Sequence, residues 1–371
     1  MARQVSTGTT DERAVRAAAA PETPRLPAEW ETQERCFLAW PSHEEGVEAR
    51  SLLLSWTFVE FIRNVAEYVP IDILVSKESI AEEVTALLSL VCSNTCTYQV
   101  HVANYQHCWI RDTGPTAVIG ADGVPRWVQW RFNRWGSQQE AEFDVEVAAS
   151  FAQISGLPLL RAELSKELGV LAMEGGAFES DGEGTMIVTE DCLLNGTRAR
   201  NKLTKEEYQE LFFRHLGITK TIWLKGGSIF EATGGHADMC ARFVAPGRVV
   251  LSEFSGPTGE PEEAQLRNLE LLADAVDAKG RPIEVTMLPS PKYITFGQEH
   301  VAASYTNFFI GNGIVVVPMY HDRADARAIA ILTSLFPGHE VRGLAARDLA
   351  IGGGSFHCIT QPQFRADSIS G

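Results

Sequence analysis

The sequence predicts an α/β protein on three observations. Short apolar runs alternate with helix-like patterns from about Trp30 onward. Five long helical stretches begin near residues 49, 144, 204, 261 and 322, and the last four starts are about 60 residues apart. One supersecondary unit used about five times would give that rhythm, as would ordinary α/β spacing. Finally, no G-x-G-x-x-G opens a helix after a strand and no G-x-x-x-x-G-K-[ST] loop occurs, so a nucleotide-binding member of this class is not expected.

Residues 1–26 are small and polar and lack apolar periodicity, which predicts a disordered leader; Asp11, Glu12 and Glu22 count against an organelle transit segment. A single folded unit over residues 27–371 is expected to follow. Extended runs are expected at 35–40, 71–76, 127–132, 185–189, 219–224, 248–252, 284–288 and 312–318, with a shorter helix around 80–90. Asp144, Thr204 and Asp322 or Asp325 can cap their helices, and Thr204-Lys-Glu-Glu207 is close to a capping box.

Composition narrows the function. Among 371 residues, 48 Asp and Glu face 32 Lys and Arg, a formal charge of −16, while 45% apolar residues suffice for a large core. No stretch approaches the roughly 18 uncharged apolar residues of a membrane span. The charge argues against nucleic acid and allows a cationic small molecule, although a solvated acidic surface would read the same. The seven cysteines at 36, 92, 96, 108, 192, 240 and 358 are odd in number and lack a disulfide framework, and Cys92 and Cys96 have no second pair to complete a zinc site. Reduced thiols in a cytoplasmic setting are expected.

Four segments carry candidate chemistry. Trp109-Ile-Arg-Asp112-Thr-Gly-Pro115 puts a carboxylate where extended chain breaks into a loop, a place that a turn-capping aspartate would also take. Met173-Glu174-Gly-Gly-Ala-Phe-Glu179 places Glu174 at a strand end before paired glycines. In Gly234-Gly-His236-Ala-Asp238, an extended backbone would project His236 and Asp238 from one face, as an acid–base pair or as part of a metal site. Gly352-Gly-Gly-Ser-Phe-His357-Cys358 leads from three glycines to a thiol. On an extended chain His357 would point away from Cys358, leaving His236 as the better candidate base. Carboxylates raise a thiol's pKa, so this set makes sense if the substrate brings a positive charge, and a planar guanidinium is the natural partner of two carboxylates.

Together these segments resemble the agmatine deiminase / bacterial-type peptidylarginine deiminase family of the pentein superfamily. The resemblance spans nearly all of 27–371. It adds Pro27-Ala-Glu-Trp30, Leu38-Ala-Trp-Pro41, Phe132-Asn-Arg-Trp-Gly136, Thr189-Glu-Asp-Cys-Leu-Leu-Asn195, Ala303-Ser-Tyr-Thr-Asn-Phe308 and Leu335-Phe-Pro-Gly338. It implies a pentein five-bladed α/β propeller, pseudo-fivefold ββαβ-type units around a central active site. It implies Cys358 as nucleophile, His236 as general acid and base, and Asp112 and Asp238 holding the guanidinium. Glu174, Trp109 and Trp135 would line the site. By default agmatine would become N-carbamoylputrescine and ammonia through a cysteine thiouronium, a step toward putrescine and polyamines. No metal or organic cofactor is implied, and family members often form dimers or larger assemblies.

The chain departs from the family pattern near the expected far end of the substrate. Where the family commonly reads Asp-Glu-Thr-Asn-Gly-His, this chain reads Glu231-Ala-Thr-Gly-Gly-His236, and Met239 follows Asp238 in place of Asn. Ala232 and Gly234 thus replace a Glu and an Asn, and Gly136-Ser-Gln-Gln139 replaces a segment with a second Gly and a Lys. Another guanidino compound, arginine or peptidyl-arginine is therefore an alternative substrate, and amidino transfer an alternative reaction. A catalytically inert binding module is the expectation of a different class.

Overall fold

The computed structural model describes residues 23–41, 48–137, 143–165, 169–195, 203–226, 233–254, 263–292, 294–296, 299–301 and 303–366. Strand β1 (Gln33–Ala39) leads into helix α1 (Glu48–Val65) and returns as β2 (Ile71–Val75), parallel to β1. Helix α2 (Glu78–Val91) then brings β3 (Tyr98–Val102) parallel to β2. A one-turn helix α3 (Ile110–Thr113) precedes the hairpin of β4 (Thr116–Ile119) and β5 (Pro125–Gln129), and α4 (Val147–Ser155) crosses back to put β6 (Leu159–Arg161) parallel to β5.

A small hairpin follows, β7 (Glu163–Ser165) with β8 (Gly169–Val170), and then the hairpin–helix–parallel-strand plan recurs. It appears as β9 (Phe178–Ser180), β10 (Thr185–Thr189), α5 (Lys205–Leu216) and β11 (Lys220–Leu224). It appears again as β12 (Ala241–Ala245), β13 (Arg248–Ser252), α6 (Glu263–Ala273) and β14 (Glu284–Leu288). After the hairpin of β15 (Ile294–Phe296) and β16 (Glu299–Val301), it returns as β17 (Phe309–Gly311), β18 (Ile314–Met319), α7 (Asp325–Leu335) and β19 (Glu340–Ala345). A short α8 (Arg347–Ile351) leads to β20 (Gln361–Phe364), which pairs antiparallel with β1. The last strand thereby completes the first sheet. Five ββαβ units result, the pentein α/β propeller, and the spacing of the helices is the repeat itself.

The middle strand of each unit is covered by its helix on one face and by neighbouring structure on the other. Such strands read as nearly unbroken apolar runs instead of alternating ones. Ile314, Val315, Val316 and Val317 are all buried, and so are Met186, Ile187 and Val188 of β10. Helix α5 buries Tyr208, Leu211, Phe212 and Leu216, one stripe at helical spacing. Its capping box is present in both arms, Thr204 accepting from Glu207 N–H and Glu207 from Thr204 N–H.

Two other expected caps are corrected. Asp144 opens a short 3₁₀ turn before α4, and its carboxylate turns away to accept from the N–H groups of Gln106 (2.8 Å) and His107 (3.2 Å). It braces the loop that enters α3 instead of capping its own helix. Asp322 accepts from Ala324 N–H at 2.8 Å, but Asp325 already lies inside α7 and accepts from Tyr320 N–H and the Tyr305 hydroxyl. Residues 1–22 of the expected leader lie outside the described residues; its last two, Arg25 and Leu26, donate their N–H groups to Ile119 O and Leu216 O. No helix among the described residues is long and apolar enough to cross a membrane.

Candidate active site

The fold supplies the site by repetition. In every unit a short irregular segment precedes the outer hairpin strand, and these segments converge. Asp112 sits in α3 before β4, and Glu174 precedes the 3₁₀ turn Gly175–Ala177 that leads into β9. His236 and Asp238 belong to the turn before β12, Asn307 precedes β17, and Cys358 precedes β20. All six residues are buried. A hydrogen-bonded element cannot point its side chains along its own axis, so the chain ends feeding the strands are where functional groups collect.

His236 is the centre of the group. Its Nδ1 lies 3.9 Å from Asp112 Oδ1 and 4.0 Å from Asp238 Oδ1, and its Nε2 lies 3.7 Å from Glu174 Oε2. The expectation of an extended backbone at 236–238 is corrected. His236 precedes a 3₁₀ turn over Ala237–Met239, yet the turn still brings both side chains to one place. Gly176 explains the nearby paired glycines. A Cβ there would lie 2.6 Å from His236 Nδ1 and 2.9 Å from Asp112 Oδ1, so no other residue fits without displacing the imidazole. Its N–H donates to Asp112 Oδ1 at 3.1 Å.

Asp112 receives its other hydrogen bond from Trp135 Nε1, at 2.9 Å to Oδ2. Arg134 and Trp135 both hold φ of +52°, a left-handed conformation that costs about 1–2 kcal/mol per non-glycine residue. Strain of this kind persists only where the surroundings fix it, and here it aims the indole at the carboxylate. Trp109 lies on the thiol side. A Cβ at Gly352 would come within 2.7 Å of its ring, and one at Gly354 within 2.9 Å of both its ring and Cys358 Sγ. The glycine run is thus the floor over which Trp109 and Cys358 meet.

The expected separation of His357 from Cys358 does not hold. Residues 355–359 form a tight turn instead of a strand, and both side chains reach the same oxygen. Asp238 Oδ2 lies 2.7 Å from His357 Nδ1, accepts from Asn307 Nδ2 at 3.0 Å, and sits 3.4 Å from Cys358 Sγ. Asn307 also donates to Cys358 Sγ at 3.2 Å, and its side-chain oxygen accepts from the N–H groups of Ser355 and Cys358.

Sequence reasoning missed His357, Asn307 and the ionic layer behind them. Glu29 binds Arg111 and Arg242 and lies 3.0 Å from His357 Nε2, and Arg242 also pairs with Glu179 at 2.7 Å. Glu29 and Asn307 lie in Pro27-Ala-Glu-Trp30 and Ala303-Ser-Tyr-Thr-Asn-Phe308, segments read only as marks of resemblance. A carboxylate between two apolar anchors was the signal available. Of the departing positions, Ala232 and Gln138–Gln139 lie outside the described residues, Gly234 takes φ of +85°, and Met239 is buried.

Electrostatics follow from burial and neighbours. Burial opposes charge on His236, yet Asp112, Glu174 and Asp238 raise its pKa to about 9. Burial pushes Asp112 up. Burial would do the same to Asp238, but His357, His236 and Arg242 bring it below its ordinary value. The Cys358 thiol is pushed well up by burial and by the charges of Asp238 and Asp112. These shifts set a neutral thiol beside an imidazolium. Among the described residues, Glu174, Cys192 and His236 also bring donor atoms within 4.8 Å of one another, a set able to hold a soft divalent ion.

Comparison with known proteins gives a consistent result. The model of the Porphyromonas-type peptidyl-arginine deiminase family matches residues 25–363. An agmatine deiminase from Pseudomonas fluorescens is 32% identical over 91% of this chain and 95% of its own length. The structure of an Enterococcus faecalis agmatine deiminase catalysing its reaction superposes with a TM-score of 0.82 and 28% identity, over 94% of this chain and 99% of that one. A substrate-bound agmatine deiminase from C. jejuni, 24% identical, shares the fold with a TM-score of 0.81, over 92% of this chain and 97% of that one.

Proposed function

The chain belongs to the Porphyromonas-type peptidyl-arginine deiminase family, and from that premise we propose that it hydrolyses a guanidino compound, by default agmatine to N-carbamoylputrescine and ammonia. One observation carries the reading: two buried carboxylates, Asp112 and Asp238, flank an imidazole at 3.9 and 4.0 Å, with a thiol beside the second. Two carboxylates facing each other this way are costly unless a planar, multiply donating cation joins them, and a guanidinium supplies five N–H donors.

The mechanism follows from the residue types. The guanidinium binds between Asp112 and Asp238 and offsets the negative field that holds the Cys358 proton. The thiol pKa falls, its proton is lost to solvent as the guanidinium binds, and the thiolate attacks the guanidinium carbon to give a tetrahedral adduct. His236, cationic at neutral pH, gives its proton to the leaving nitrogen, and ammonia departs from a covalent S-amidino intermediate. Neutral His236 then accepts a proton from water as the water attacks the same carbon, and the C–S bond breaks to release the ureido product and the thiolate. Glu174, beside Nε2, supports the imidazolium through both halves. Trp109 and Trp135 wall the reacting group, and each keeps a carboxylate or the thiol in place.

Residues 27–371 are read as one catalytic unit, because strands from both ends of the chain share a sheet. Free thiols at all seven cysteines suit a reducing, cytoplasmic setting. A dimer is the default assembly, by likeness to the family alone. The test is an assay of ammonia and ureido product from agmatine, arginine, peptidyl-arginine and simple alkylguanidines. Turnover should vanish in Cys358→Ala; ammonia release that survives it would sink the mechanism, and turnover of other guanidines without agmatine would move the substrate assignment.

A further inference from the structure

Asp238 has two unlike oxygens. Oδ2 is saturated by His357 Nδ1, Asn307 Nδ2 and the Cys358 thiol, whereas Oδ1 has no hydrogen-bond donor among the described residues and faces His236 Nδ1 at 4.0 Å. A buried carboxylate oxygen without a donor is costly, so Oδ1 is the atom kept for the substrate. What holds the carboxylate in that orientation is a buried chain: Asp238 Oδ2 to His357 Nδ1 at 2.7 Å, then His357 Nε2 to Glu29 Oε1 at 3.0 Å. Glu29 is fixed in turn by Arg111 and Arg242. Ionised carboxylates only accept, so both bonds form together only when each ring nitrogen carries a proton.

We infer that His357 and Glu29 are positioning residues for the reaction, a Glu29–His357–Asp238 chain that ties the segment before β1 to the guanidinium-binding carboxylate. The inference rests on the hydrolase reading above and extends it to two residues that touch no substrate. The arrangement resembles a histidine oriented by a carboxylate, but inverted: here the histidine orients a carboxylate and is itself oriented by a second one. The charged groups around it among the described residues are these. His357 faces Asp238, Glu29 and, at 3.8 Å, Glu179; the Arg111 side chain donates to its backbone oxygen, and Cys358 follows it in sequence. Asp238 faces His236, His357 and Cys358, with Asp112 and Arg242 acting at longer range.

The N-terminal segment thereby becomes part of the active site. Glu29 lies between Leu26 and Gln33, both buried, so any shift of that segment reaches Asp238 through two hydrogen bonds. A misplacement of about 1 Å at the reacting centre can cost about 100-fold in rate.

The test compares His357→Leu, His357→Asn and Glu29→Gln in the full chain. The Leu variant removes the donor to Asp238 and should lose roughly 100-fold in kcat/KM, mostly in kcat, with the acid limb of its pH profile moved to higher pH. The Asn variant keeps a donor near the Nδ1 position and should recover at least about tenfold of that loss, although it cannot reach Glu29. Glu29→Gln should move the acid limb the same way by a smaller amount. A folded Leu variant with unchanged kcat and acid limb would overturn the inference, as would a loss that tracks melting temperature alone without rescue by Asn. Nitrogen-15 histidine spectra of the unliganded protein provide an arm that needs no turnover. Two ring N–H signals absent from His357→Asn and displaced in Glu29→Gln support the chain; a His357 ring with one protonated nitrogen, unaffected by Glu29→Gln, overturns it. A parent protein that deiminates nothing would refute the hydrolase reading, and these spectra would still decide the chain.

Discussion

Asp112 and Asp238 stand on two sides of the same imidazole nitrogen, both buried, yet their surroundings treat them in opposite ways. Asp112 is held by neutral donors, the Gly176 N–H and the Trp135 indole, and burial raises its pKa. Asp238 carries the same burial but faces His357, with Arg242 behind, and its pKa falls. Burial sets the cost of a charge, and only cationic partners reverse its sign. The two carboxylates are thus unequal: His236 faces both, but His357 and Arg242 act on Asp238 as well, so its pKa lies below the ordinary value and that of Asp112 above it.

The sharpest way to break this comparison is to neutralise each in turn. Asp238→Asn should cost about 1,000-fold in kcat/KM, because the residue that the proposed mechanism sets against the guanidinium also contacts Cys358 and His357, whereas Asp112→Asn should cost about 100-fold. A larger loss at Asp112 would invert the ranking. The pH profile tests the same point. Protonated Asp112 cannot hold a cation, and burial raises its pKa, so Asp112 should contribute to the acid limb at a pH above its ordinary value, with Asp238 joining it when His357 is lost. Trp135→Phe removes a donor that favours the ionised form; it should move that limb further up and lower kcat/KM about tenfold.

A separate effect is on stability. The folded-state pKa of His236, about 9, exceeds its ordinary value near 6.5, so the stabilisation its charge contributes is complete below the lower value and lost as pH rises through the upper one. Unfolding free energies at pH 6 and pH 9.5 should differ by roughly 3 kcal/mol more in the parent than in His236→Asn. Equal differences would mean that the neighbouring carboxylates do not hold the proton there.

The four central side chains were legible in the sequence because each sits in a segment whose composition is odd for plain structure. Gly175-Gly176 beside Glu174 and the Gly352–Gly354 run before Cys358 marked the places where other atoms come close. Less legible were side chains whose role depends on turn geometry. His357 was assigned to the wrong face because a strand alternates its side chains and a tight turn does not. Asp144 carries the same lesson: a good capping residue found a stronger claim on its carboxylate in the backbone of Gln106 and His107.

The sequence by itself determined the α/β class, the spacing of the long helices and the identity of thiol, imidazole and carboxylates, since periodicity and residue chemistry are local properties. The tertiary structure alone decided that β20 closes the sheet of β1 and that Glu29 lies behind His357. It also decided that Asp112 and Asp238 titrate apart. These depend on which distant segments share one dry space, and a buried charge takes its pKa and orientation from those neighbours, not from its place in the chain.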